Sequence, residues 1–111
     1  MPGLFDPIKI KGLSLKNRLV MPPMATGMAT EDGEVTDRHI THYVTRAKGG
    51  VGLIIIEHTY VVEDGKGHKG QLGLYDDRLI PGLKRLVEAI HAGGTKVVIQ
   101  LTHAGAVRAL V

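Results

Sequence analysis

Residues 51–57 read VGLIIIE, apolar up to Glu57 and dominated by isoleucine. A strand with one wet face alternates apolar and polar residues. A strand buried on both faces, as in a parallel sheet, reads as a continuous apolar run. The flanks carry a different period. Before it, Ile40, Tyr43, Val44 and Ala47 recur at i, i+3, i+4, i+7, with Thr36 as the expected N-cap and Gly49-Gly50 as the stop. After it, Leu79, Leu83, Leu86, Val87 and Ile90 form a second stripe. That helix is expected to start between Asp77 and Pro81 and to end at Gly93-Gly94.

Further out, KVVIQL (96–101) reads as another buried strand, and RLVM (18–21) as a short one stopped by Pro22-Pro23. IKIKGLSL (8–15) alternates about Lys11-Gly12 and predicts a hairpin. The predicted order is hairpin, then β-α-β-α-β, an α/β fold with right-handed crossovers and a parallel sheet. The αβ turns are short, whereas the βα connections 22–36 and 58–76 are long. Long loops at the C-terminal ends of parallel strands are where such folds place their chemistry. Three strands do not close a barrel, which takes eight strands and about 250 residues. The expectation is therefore a single partial domain over 1–111, with an open sheet edge after the third strand.

Composition narrows the function classes. With 43% hydrophobic residues among 111, the chain can build a core. The absence of cysteine rules out a disulfide, a thiolate metal site and a cysteine nucleophile, and fits a cytoplasmic location. MPGLFDPIKIKG has no basic end leading into an apolar stretch, so no signal peptide is expected. The longest aliphatic run, Leu53–Ile56, is too short to span a membrane. The net charge of +3 is scattered, and at 4% aromatic residues no stacking platform for nucleic acid is expected.

GKGHKG (65–70) spells G-x-G-x-x-G. That fingerprint works only when its glycines join a strand directly to a helix N-terminus facing a pyrophosphate. Here Gly65, Gly67 and Gly70 fall inside a long polar loop, and Lys66 and Lys69 are as suited to water as to a phosphate. Strand ends hold better candidates. MPPMATG (21–27) is stiffened by two prolines and carries small or soft side chains suited to lie against a planar ring. Gln100 offers both a donor and an acceptor, matching the edge of a uracil-like ring, although it also suits backbone groups at a sheet end. His39 and His42 are expected on the surface of the first helix, and His91 as a cation at a helix C-terminus. Glu57, His58 and His103 allow a second reading, a metal-dependent hydrolase, although no H-E-x-x-H motif is present.

LFDPIKIKGLSLKNRLVMPPMATG, AKGGVGLIIIE and KVVIQLTHAG, in this order and spacing, resemble the start of the old yellow enzyme family, nearer to its bacterial branch that includes dienoyl-CoA reductases than to the yeast-type enzymes. The resemblance covers nearly the whole chain. It implies the N-terminal part of a (β/α)8 TIM barrel, FMN as cofactor, NAD(P)H as reductant and a small activated alkene as substrate. It further implies that Pro22, Pro23, Met24 and Ala25 line the flavin, that His58 sits near the ring, and that Gln100 bonds the pyrimidine edge. Departures are Ala25, where many relatives carry Thr, Cys or His; Gly27, where one branch has a tyrosine; His58, bulkier than the small residue common there; and Ala106, where the family continues with arginine, the next one here being Arg108. The resemblance places the substrate-gripping pair, the proton donor and the phosphate loops beyond residue 111, so no catalytic residue is assigned. The isolated chain is expected to be incomplete and open to self-association through its bare edge.

Overall fold

A computed structural model describes residues 1–107; Arg108 lies outside the described residues. Strands β1 (Ile8–Ile10) and β2 (Leu13–Leu15) form the antiparallel hairpin, with Ile8 opposite Leu15 and Lys11 at φ 52° in the turn. There follow β3 (Val20–Met21), α1 (Asp37–Lys48), β4 (Leu53–Tyr60), β5 (Leu72–Gly73), α2 (Ile80–Ala92) and β6 (Lys96–Thr102). Strands β3 and β6 flank β4, and every pairing in this sheet is parallel. The 58–76 connection is not all loop: β5 adds to the β3 side of β4, with Leu72 opposite Thr59. Two residues are too few to show a period, so no sequence pattern marks them.

Both helices pack on one face of the sheet. The core joins Tyr43 and Ala47 of α1, Leu86 and Ile90 of α2, and Met21, Ile54, Ile56 and Leu72 of the sheet. Arg85 of α2 pairs with Asp37 of α1 across the outside of the layer. The start of α2 is set by a 3-10 turn at Asp77–Leu79, where Asp76 accepts the Arg78 N–H, and then by Pro81 in the first turn.

Two expectations are corrected. Strand β6 is not buried on both faces. Val97 and Ile99 pack against the helices, while Val98 is 43% and Leu101 57% exposed. It is an edge strand of an open sheet. Val98 stands on the second face, which has no covering layer, whereas Leu101 shares the face of Val97 and Ile99 but is left exposed. His39 is not a surface residue, for it is 0% exposed. It lies one turn before Tyr43, and 39, 43 and 47 make the face that α1 buries. Among the described residues no helix is long and apolar enough to cross a membrane.

Candidate functional site

Strand β3 ends at Met21, opposite Ile54 near the start of β4, and the run 22–27 that follows reaches Glu57 through Thr26, while β6 brings Gln100 opposite Glu57 and His58, so these residues gather toward the C-terminal half of β4. The β4–β6 ladder is irregular there. Ile56 faces Ile99 and Thr59 faces Leu101, so Glu57 and His58 together stand opposite Gln100. Such a bulge re-aims side chains. Glu57 is fully buried, while its neighbour His58 keeps partial access to solvent.

The Glu57 carboxylate accepts the Tyr43 hydroxyl at 2.7 Å, the Thr26 hydroxyl at 2.9 Å and the Thr26 backbone N–H at 3.3 Å. The Tyr43 oxygen in turn accepts the Glu57 backbone N–H at 3.1 Å. His39 Nδ1 accepts the Thr36 N–H, so the proton of its neutral ring sits on Nε2, 3.7 Å from Glu57 and beyond hydrogen-bond reach. Burial pushes the Glu57 carboxyl up, but the dipoles of His39, Tyr43 and Thr26 together outweigh it and hold it below its ordinary value.

His58 Nε2 lies 2.8 Å from His68 Nε2, with the two rings stacked. His68 Nδ1 is 2.8 Å from the Lys69 carbonyl, which can only accept. The neutral His68 ring therefore carries its proton on Nδ1, and His58 Nε2–H is the donor of the pair. Burial first, and the charge of His68 second, lower the His58 pKa. This contact ties the glycine loop to β4. Gly67 N–H donates to Gln71 Oε1, and Gly65 packs against His103. No helix follows these glycines directly, and α2 begins only at Ile80, so the nucleotide fingerprint has no structural basis.

Pro22, Met24 and Ala25 are exposed and Pro23 half-buried, so the segment offers an open wall rather than core packing. The Gln100 amide is exposed and makes no hydrogen bond among the described residues, which fits a free donor–acceptor pair rather than one consumed by the sheet end. Glu57, His58 and His103 do not assemble as ligands. The Glu57 carboxylate is taken up by Tyr43 and Thr26, His58 Nε2 is engaged by His68, and His103 Nδ1 accepts the Gly105 N–H. Among the described residues no three potential ligands gather. The sequence reading missed Tyr43, Thr26 and His68 as site partners. The one signal for them was the carboxylate closing an apolar strand, since a buried charge requires hydrogen-bonding partners.

Compared with known proteins, residues 3–109 match the NADH:flavin oxidoreductase / NADH oxidase family. The chain belongs to this family. It is 49% identical over 106 residues to an NADPH dehydrogenase of Listeria monocytogenes, covering 95% of this chain and 31% of that protein. It is 50% identical over 105 residues to an NADH oxidase of Thermoanaerobacter brockii, covering 94% of this chain and 16% of that one. The solved old yellow enzyme homologue of Zymomonas mobilis superimposes with a TM-score of 0.86 at 34% identity, covering 92% of this chain and 28% of that chain. The chain thus spans about a third or less of these relatives, and its open sheet is the first part of their barrel fold.

Proposed function

We propose that this chain is the N-terminal part of an FMN-dependent NAD(P)H oxidoreductase that reduces small activated alkenes, with a cytoplasmic location. The observation that carries the reading is the convergence of 22–25, His58 and Gln100 at one sheet end in a member of a flavin oxidoreductase family. FMN, when bound, supplies hydride transfer between a nicotinamide and an alkene. In this reading Pro22 to Ala25 form a rigid wall against the ring, and Gln100 bonds the pyrimidine edge through its free amide. His58, with Nε2–H committed to His68, keeps the Nδ1 lone pair for a donor. The pair that grips substrate and the proton donor belong to the part of the barrel beyond this chain.

The test is an FMN titration, read by flavin fluorescence, of the 111-residue chain and of the full-length protein that contains it. Stoichiometric binding by the full-length protein, weakened by Gln100→Ala, is expected. A full-length protein that takes up no FMN refutes the reading. A second reading concerns the isolated chain: it self-associates. The exposure of Val98 and Leu101, and an apolar groove of about 430 Å³ between α2 and β6 that includes Leu83, Val87 and Val97, favour it.

A further inference from the structure

The run 22–27 has few internal reasons to hold one shape. Outside the strand ladders its backbone makes no hydrogen bond to another backbone group among the described residues, the next such contact being Ala29 N–H to the Gly70 carbonyl. What ties it down is Thr26. Both its backbone N–H and its hydroxyl end on Glu57, and the hydroxyl oxygen also accepts the Met28 N–H at 3.4 Å. Glu57 is itself held from the opposite side by Tyr43.

A carboxylate at this depth is costly, and an apolar side chain would fill the same space more cheaply. The geometry explains why a carboxylate stands here. It needs no protons of its own, and it accepts several donors at once from two separate elements. Its place in the bulge, beside His58 and opposite Gln100, puts it between the strand ends that the flavin reading uses.

We propose that Glu57 is a positioning residue that preorganises the flavin-lining run 22–27 through Thr26, with Tyr43 fixing the carboxylate. The proposal rests on the flavin reading of that run. Preorganisation of this kind raises affinity by removing the cost of ordering the segment when the ligand arrives.

The experiment uses the full-length protein and needs no turnover. Thr26→Val keeps the shape and removes the hydroxyl, Thr26→Ser keeps the hydroxyl, and Tyr43→Phe keeps the core ring. Amide hydrogen exchange over 22–28 is measured without flavin, and FMN affinity by titration. Thr26→Val and Tyr43→Phe are expected to speed exchange over 22–28 and to weaken FMN about tenfold, the size expected for losing one hydrogen bond to a charged group. Exchange over 53–56 and 83–90 stays at the wild-type rate, and Thr26→Ser restores both readouts. Three results overturn the proposal: unchanged exchange, exchange that rises equally in β4 and α2, and FMN affinity that stays at the wild-type value while 22–28 loosens. Failure of the wild-type protein to bind FMN sinks the underlying flavin reading instead, and is told apart because it precedes any substitution.

Discussion

At the scale of single residues, close approach and buried charge dominate. Asn17, one letter of a family pattern in the sequence, closes the turn before β3. Its amide donates to the Gly50 carbonyl at 2.6 Å, and its side-chain oxygen accepts the Leu19 N–H at 3.0 Å. Gly52 passes directly beneath it, where a Cβ would stand 2.6 Å from the Asn17 side-chain oxygen and 2.7 Å from its carbonyl. Gly52→Ala is therefore expected to destabilise the chain by about 2 kcal/mol, since backbone must move, and urea unfolding measures it. Glu57 gives a pH signature. Its folded pKa lies below 4.5, so its contribution is complete above that value and is lost as pH falls through the depressed one. Glu57→Gln removes that titration, and the acid limb of the stability profile should flatten. An unchanged limb would show that the buried carboxylate is not its source.

Elements show what periodicity reveals and what it conceals. The two helices, the hairpin and three of the parallel strands follow from spacing and glycine stops, because those signals act over a few residues. The buried face of α1 was only half legible. A stripe through Ile40, Tyr43, Val44 and Ala47 leaves out His39, whose polar ring disguises a core position. The loop between β4 and α2 is organised by His58 and His68, which no local pattern pairs. The groups facing His58 there are His68 and Glu57. The His58 pKa is lowered, so the stability contributed by neutral His58 is complete above 6.5 and lost as pH falls through the folded value. Protonating His58 places a charge in a half-buried position, and the desolvation that lowers its pKa then works against the 2.8 Å contact. Amide exchange over 65–71 should accelerate below pH 6.5, and His68→Ala should abolish that pH dependence while α2 exchanges as before. Equal acceleration in wild type and variant would refute the latch.

The described residues form an open sheet with helices on one face and an edge strand that alternates between packed and bare residues as far as Gln100, after which Leu101 is also exposed. Val98 and Leu101 lie outside the packed layer. Replacing both with lysine should shift the isolated chain toward its monomer mass of 11.9 kDa in light scattering and leave its helix content intact. A mass identical to that of the parent chain would place the association surface elsewhere, or show that there is none.

Element order, the breaks between elements and the sheet end that carries the candidate residues are all legible in the chain, because each depends on near neighbours or on a recognisable run. The partnerships at that end are not. Tyr43 and Thr26 reach Glu57 across 14 and 31 residues, and Thr36 joins α1 to the Met28 carbonyl across 8. In the sequence Glu57 is a carboxylate at the end of an apolar strand, equally suited to a metal, a substrate or a core. Tertiary structure alone settles its partners, because folding buries the charge and leaves only these donors to replace water. The same holds for β6, whose apolar letters describe a strand buried on both faces but whose exposure depends on which layers this chain itself provides.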